Sequence, residues 1–464
     1  MREQDTWELP AIPDTADVVL HPLLRRRRHA GCPPVLLIHG ASAHSGTFDI
    51  PTPSEGRARS LSDWLYEHGY EPWLLDWRGS ARVVEQCTAR DDRALARARH
   101  ALHMDGAASH EIPAALRKIR EIRCDESDPP RSIAAVAHCL GGAALCQSIA
   151  AGLLPRAESH EGFGPPLLTH LVLSTVGLFF TAPPMGQLKV QDGIVQRLWE
   201  SGEHSIDPRD RSSWPAEYRR MFENWPRPLR THLGAGSESE VCNNLSFMYG
   251  RPYLEKSLVP EIHRATTLLE VDHLTWHPDR GETIHAEDSR KSARLDEVRS
   301  TTRDGRAVLV LTDVASRFAQ GDALLCRNRV FARARDELES HPSQLSEQFG
   351  PIPLRIYLQA ARSLRRGFAA PLGADDGQSS SALIGPAARA RFDEISKITL
   401  ITGAKNQLWH RGSIDRMYEW LMRGRRRDVP PEKHVLADYG HQDLFWGRRA
   451  STDVFPIIAG GLPG

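Results

Sequence analysis

The 464 residues carry no net charge, because 59 Lys and Arg offset 59 Asp and Glu. No basic field exists to draw in nucleic acid, so no nucleic-acid partner is expected. No apolar run approaches the roughly 18 residues of a membrane span, which excludes an integral membrane helix. The opening "MREQDTWELP" lacks the apolar stretch of a secretory signal. Seven cysteines are scattered without a C-x-x-C or any paired spacing, which points to reduced thiols in a cytoplasmic setting. There is no zinc-ligand spacing, and no G-x-G-x-x-G follows an apolar run, so neither a metal nor another cofactor is expected. The single basic run, Arg25 to His29 ("RRRRH"), reads as a solvated loop. Nothing in the sequence indicates an oligomeric state, and no internal repeat is present.

Apolar residues make up 40% of the chain, enough for a substantial core. Six short apolar runs read as buried parallel strands: "PVLLIHG" (34–40), "EPWLLDW" (71–77), "SIAAVAH" (132–138), "HLVLSTV" (170–176), "KITLITG" (397–403) and "KHVLADY" (433–439). Their length and their glycine or polar endings favour strand over buried helix. Helical patterns lie between them, in "SLSDWLYEHG", "SHEIPAALRKIREI", "GAALCQSIAAGLL" and "IDRMYEWLMR". This alternation predicts an α/β fold, with a mostly parallel, doubly wound sheet covered on both faces.

The alternation stops between Leu178 and Glu394, a stretch too long for a loop in a compact domain. The expected organisation is therefore a core in two parts, 1–177 and 395–464, with a large cap inserted at 178–394. Within the cap, 265–335 reads as a small β-containing subdomain around "RDGRAVLVLTD" and "DALLCRNRVFARA". The Gly/Ser-rich "GADDGQSSSALIG" (373–385) reads as a flexible return to the sheet. The cap's large side chains, among them Trp199, Trp214, Phe222, Trp225, Phe247, Met248 and Tyr249, supply a core of its own.

"AVAHCLGGAAL" (135–145) carries the chemistry. A strand ends at His138, and two glycines open a helix directly after Cys139 and Leu140. Such a turn lifts its central side chain out of the sheet, and small neighbours let it close. Cys139 is the candidate nucleophile. Its place at a helix N-terminus predicts a lowered thiol pKa. The Leu140 N–H is one candidate oxyanion donor, and the Ala41 N–H in "LLIHGASAHS" is the second. His39 reads as a brace of that loop and His138 as packing. The candidate base is His441, on the loop after the last strand ("LADYGHQDLFWG"). A third member should follow "KITLITG", where Asn406 stands in "GAKNQLWH". An amide can orient an imidazole without charging it, and Cys-His-Asn is a working combination on another fold. Asp443 and Asp415 are the alternative acids. Arg78 in "DWRGS" reads as a structural ion pair in preference to a substrate anchor.

These stretches together resemble the α/β-hydrolase superfamily across 34–180 and 395–460. More narrowly, "LLIHGASAHSGTF", "GYEPWLLDWRGS", "HEIPAALRKIRE", "VAHCLGG", "CNNLSFMYG", "LITGAKN" and "YGHQDLFWG" look like the α/β-hydrolase modules fused to, or encoded beside, cholesterol-oxidase-like flavoenzymes. In that group an asparagine at the "GAKN" position is usual. The elbow alone is similar to dienelactone hydrolases and polyhydroxyalkanoate synthases, which place cysteine there. Oxidase activity does not carry over, because the flavin-binding half is absent. The block near 254–350 is longer than the group's usual cap, and the aspartate of the polymerases is missing after the late strand.

The resemblance and the residues together imply an acyl hydrolase acting through a Cys139 thioester, and a cap that roofs the site implies a small-molecule ester or thioester with an apolar acyl part. Phe179 and Phe180, leaving the sheet beside the nucleophile strand, are the expected pocket walls. Two other readings stand beside this one: an acyltransferase of the polyester-synthase type, and a non-catalytic binding protein that kept the fold.

Overall fold

The computed structural model describes residues 4–9, 21–52, 59–88, 100–130, 132–159, 162–224, 240–249, 253–254, 257, 266–287, 291–301, 306–312, 314, 318–341, 344–372, 382–423 and 429–464. Trp225, the side chain of Tyr249 and residues 373–381 of the Gly/Ser-rich return lie outside that set. Two compact units are formed: Met1–Ala235 with Asn244–Leu258 and Gln348–Gly464, and Gly236–Asn243 with Val259–Glu347.

The first unit is built on an eight-stranded sheet. Its strands are β1 (Gln4–Leu9), β2 (His21–Arg26), β3 (Pro34–Ile38), β4 (Glu71–Leu75), β5 (Ile133–His138), β6 (Leu168–Ser174), β7 (Lys397–Gly403) and β8 (Glu432–Leu436). They lie in the order β1-β2-β4-β3-β5-β6-β7-β8. The six strands from β4 to β8 in that order pair in parallel, and β1 and β2 add an antiparallel edge. All six expected apolar runs are these parallel strands, but β8, expected to be buried, is half-buried to exposed because it stands last in the sheet order. β3, β4 and β5 are buried along their whole length, as continuous apolar runs in a two-sided sheet must be. This order, with a strand-to-helix turn at the end of β5, is the α/β-hydrolase fold.

The helices of this unit include α1 (Leu61–Glu67), α2 (Glu111–Asp125), α3 (Cys139–Ala151), α4 (Pro184–Gln191), α5 (Ile194–Glu200), α6 (Ala216–Asn224), α7 (Leu354–Arg366) and α8 (Gly412–Met422). Ser60 caps α1 by accepting from the Asp63 N–H at 3.1 Å. α2 buries Ile112, Ala115, Leu116, Ile119 and Ile122, a helical stripe against the sheet. α3 is buried almost throughout and stops at Gly152, whose φ of 74° is left-handed. Trp214, Phe222 and Phe247 join Ile194, Leu198 and Leu354 in a separate cluster, so these cap aromatics do form a core of their own. The cap helices α4 to α7 belong to the same compact unit as the sheet, so 178 is not a boundary between units.

The second unit contains a closed six-stranded barrel. Its strands are Thr266–Asp272, Thr283–Ala286, Ser292–Thr301, Ala307–Thr312, Ala323–Cys326 and Arg329–His341. Every pairing is antiparallel, and closure leaves no free edge. Alternation is visible in Thr283–Ala286, where Ile284 and Ala286 face inward and Thr283 and His285 outward. Leu269, Leu309, Leu311 and Phe331 fill the interior. The expected β subdomain at 265–335 is thus a barrel that continues to His341.

The basic run is not a solvated loop throughout. Arg25 lies in β2 and is buried. Its guanidinium donates to Glu71 Oε2 at 3.0 Å and to Glu126 at 2.6 and 2.7 Å, and sits 5.0 Å from the Trp73 ring. Glu71 also accepts from Arg123 Nη1 and Trp73 Nε1 at 3.0 Å each, and from the Arg28 N–H at 3.1 Å. One fully buried carboxylate therefore bridges two arginines that are 2% exposed, and Glu126 on Arg25 and Asp128 on Arg123 supply the further negative charge. A buried ion left without its partner is strongly destabilising, so Glu71→Ala is expected to cost about 3–5 kcal/mol. Arg27→Ala, on an exposed side chain, should stay within about 0.5 kcal/mol. Denaturant unfolding of both variants checks this, and a near-neutral Glu71→Ala would refute the role of the cluster.

Candidate active site

Strand β5 hands over to α3 at Cys139, whose φ is 53°. That left-handed value is strained for a residue with a Cβ, by about 1–3 kcal/mol. Close approach of the loop after β3 accounts for the glycines on either side. A Cβ on Gly141 would come within 2.2 Å of the His39 carbonyl oxygen, and one on Gly40 within 2.9 Å of Cys139 Cβ. Larger residues at either position would push the two loops apart and move the sulfur.

Cys139 is 7% exposed and faces a cavity. Trp409 Nε1–H donates to its Sγ at 3.2 Å. Burial nevertheless pushes the thiol up to about 11, outweighing the Trp409 hydrogen bond and the Leu140 N–H that both favour the thiolate. The helix N-terminus was expected to lower this thiol. The correction has a simple cause: a thiolate in an apolar wall loses more solvation than two donors and one helix end return.

Asn406 and His441 meet. Asn406 Nδ2 lies 3.1 Å from His441 Nδ1, and both residues are buried. Asn406 Oδ1 is occupied elsewhere, accepting from the Leu408 N–H at 2.9 Å and the Trp409 N–H at 3.1 Å. These two bonds fix which end of the amide faces the ring. The NH2 group must donate to Nδ1, so the neutral imidazole carries its proton on Nε2. A base acting through Nε2 needs the opposite tautomer. Burial also pulls His441 down to about 3, so the ring is neutral. Neither alternative acid replaces Asn406. Asp443 accepts from the Gly440 N–H at 2.6 Å, the Leu254 N–H and Ser257 Oγ, bracing the His441 loop. Asp415 takes Lys433 Nζ at 2.7 Å.

The remaining residues fall into supporting places. His39 Nδ1 lies 2.6 Å from its neighbour's carbonyl, and Nε2 is 3.4 Å from Asp76 Oδ1. Asp76 in turn accepts from the Ser45 N–H and from Ser45 and Ser80 hydroxyls, each at 2.8 Å, which braces the loop after β3. His138 is buried, with Nδ1 2.9 Å from Ser174 Oγ and its ring 4.4 Å from that of His441. Arg78 is a structural ion pair, bidentate to Glu111 at 2.7 and 3.0 Å. Nothing among the described residues accepts from the Ala41 N–H, which sits in the loop pressed against the elbow.

The cavity of about 130 Å³ is lined by Cys139 and Leu140, by Ala182 and helices α4 and α5, by Tyr218, Phe247 and Met248, by α7, and by Leu408 and Trp409. Phe179 and Phe180, expected as its walls, do not line it. Phe180 packs edge-on behind Trp409 with centroids 5.4 Å apart, and Phe179 packs against Trp420 at 6.1 Å. The chain leaves β6 into the core before it reaches the cavity, so these rings support a wall that other residues make. Trp409 was missed by the sequence reading. Its signal was its place three residues after Asn406, on one loop.

A thiol near 11 predicts that alkylation of Cys139 by iodoacetamide climbs with pH well past 9, with no plateau near neutrality. Asn406→Asp offers Nδ1 an acceptor in place of a donor. It should move the ring proton to Nδ1, raise the imidazole pKa by about 1–3 units, and speed neutral-pH alkylation by about tenfold or more. Rate-versus-pH curves of the two proteins check both statements. A slower Asn406→Asp would mean that the amide faces the ring with its carbonyl.

No protein-family model matches the sequence, and no curated protein matches it. Solved structures do align along the whole chain. A thioesterase domain from the curacin biosynthetic pathway is 11% identical, with 99% of each chain covered and a TM-score of 0.38. A lipase in its open form is 10% identical over 99% of this chain and 98% of the other, with a TM-score of 0.44. An α/β hydrolase from Novosphingobium aromaticivorans DSM 12444 is 11% identical over 99% and 97%, with a TM-score of 0.37. At such identities and scores the fold rests on this chain's own strand order and elbow, which make it an α/β-hydrolase fold.

Proposed function

We propose that this protein is an acyl hydrolase for an apolar ester or thioester, working through a thioester on Cys139. The observation that carries the reading is the sulfur itself: set at a left-handed elbow, hydrogen-bonded by Trp409, and open to a largely apolar cavity.

In this reading Sγ adds to the substrate carbonyl carbon, and the N–H groups of Leu140 and Ala41 receive the oxyanion. The thiol proton passes to His441 Nε2, once the ring's own proton has moved to Nδ1. That shift requires the Asn406 amide to turn its carbonyl to the ring, giving up two backbone donors at about 1–3 kcal/mol. The imidazolium then protonates the departing alkoxide or thiolate, and water cleaves the acyl-cysteine with the same base. Asn406 thus makes the resting site slow and neutral. The same amide favours a second reading, a binding protein that kept the fold.

Intact-mass analysis after incubation with aryl esters separates these. The hydrolase reading expects a transient acyl mass on Cys139, absent in Cys139→Ala, and kcat/KM rising from acetyl to hexanoyl. Each buried methylene contributes about 0.8 kcal/mol, close to fourfold. No mass gain and no turnover would leave the binding protein. Ester products with an added alcohol would identify an acyltransferase.

A further inference from the structure

We propose that Trp409 is a catalytic residue, whose indole N–H stabilises the negative charge on the Cys139 sulfur while His441 only carries its proton. The word catalytic rests on the reading of Cys139 as the nucleophile; the hydrogen bond to sulfur and its effect on the thiol stand without it.

In a reactive cysteine–histidine pair one imidazole does two tasks. It takes the thiol proton and then, as imidazolium, sits beside the thiolate it has made. Here the tasks fall on different groups. Among the described residues Sγ accepts from Trp409 Nε1–H at 3.2 Å and from the Leu140 N–H, and His441 makes no hydrogen bond to it. His441 is held instead through Nδ1 by Asn406 at 3.1 Å and lies against the His138 ring. An indole is a donor only, so Trp409 can steady a thiolate at any pH but cannot create one.

Trp409 is held at two points. Its backbone N–H donates to Asn406 Oδ1 at 3.1 Å, and its ring meets the buried Phe180 edge-on with centroids 5.4 Å apart. The ring therefore keeps its support when Asn406 turns its carbonyl to His441 and releases the backbone N–H. Trp409 also lines the cavity that Cys139 opens onto. In the acylation step the S–H bond breaks, its proton passes to His441 Nε2, its electron pair forms the S–C bond, and the indole keeps its own proton. The Trp409 hydrogen bond is strongest while sulfur bears the charge, since charge-assisted bonds are the stronger kind. It weakens once sulfur is acylated, because a thioester sulfur is a poor acceptor.

The test follows the sulfur itself and needs no substrate. Thiolate is read from absorbance near 240 nm as pH rises from about 8 to 10.5, each protein measured against the same protein carrying Cys139→Ala. Alkylation by iodoacetamide is followed in parallel. Trp409→Phe keeps an aromatic ring against Phe180 and loses the N–H. Trp409→His also shrinks the side chain, but an imidazole laid on the five-membered ring of the indole puts its Nε2–H where Nε1–H stood. Trp409→Phe should cut the thiolate present near pH 10 by about tenfold, the effect of one lost hydrogen bond to a charged group. It should slow alkylation at pH 8 to 9 by about threefold, a smaller factor because a more basic thiolate is more nucleophilic. Trp409→His should restore both to within about twofold of the unmodified protein. His441→Gln should leave the thiolate population within about twofold.

Both Trp409 variants open the cavity to the reagent, so a tryptophan that merely shields the sulfur predicts the opposite sign. Three results would overturn the proposal: faster alkylation of Trp409→Phe with its thiolate unchanged, equal thiolate populations in the two Trp409 variants, or a loss of thiolate in His441→Gln as large as in Trp409→Phe. Absence of ester turnover in the unmodified protein, with the thiolate populations as expected, would count against the hydrolase reading alone.

Discussion

The loop after β3 and the turn after β5 touch, and the rest of the site depends on that contact. β3 and β5 are neighbours in parallel register, with Ile38 opposite Ala137, so both chains leave the sheet at the same level. Gly40 and Gly141 then allow backbone and Cys139 to meet where any side chain would intrude. The left-handed φ of Cys139 persists because its surroundings leave no other path. The sulfur, the Leu140 N–H and the Ala41 loop are brought together by this one steric condition. Trp409 approaches from the exit of β7, two strands away, and closes the other side.

Electrostatics divides the molecule into two kinds of interior. Away from the site, several buried charges among the described residues are paired or multiply hydrogen-bonded. Glu71 serves Arg25 and Arg123, Arg78 is paired with Glu111, and Asp76 accepts three bonds from Ser45 and Ser80. At the site the groups are left neutral. Burial drives the Cys139 thiol up and the His441 imidazole down, and an amide stands where a carboxylate would charge the ring. A low-dielectric pocket strengthens the interactions of any charge that forms there, since there is little water to screen it. It also makes the charged resting pair of a reactive cysteine and histidine unfavourable.

Much of this was legible in the residues. Six apolar runs became the six parallel strands, and those buried on both faces need no tertiary information to be recognised; β8, last in the sheet order and alternately half-buried and exposed, is the exception. Cys139, Asn406 and His441 were picked out by their positions after strands, and Asn406 and His441 do touch. The edge strands β1 and β2 were not seen, since Arg25 in a row of arginines gives no hint that its partner is Glu71 of β4. Phe179 and Phe180 were placed on the pocket because they follow β6, the strand beside the one that ends at Cys139, yet the chain turns them into the core.

Local pattern therefore determined the strands, the elbow and the identity of the groups near it, because these depend on burial period and on glycine at a tight turn. Tertiary structure alone decided their chemistry. The height of the Cys139 pKa depends on how much water the folded walls exclude. The tautomer of His441 depends on which end of Asn406 faces it, and that is set by the backbone N–H groups of Leu408 and Trp409 after the loop has folded. The sharing of one cavity by Cys139, helix α4, helix α7 and Trp409 depends on segments spread from 139 to 409 of the chain. Side-chain type is written in the sequence; desolvation, hydrogen-bond polarity and cavity membership arise only when distant segments meet.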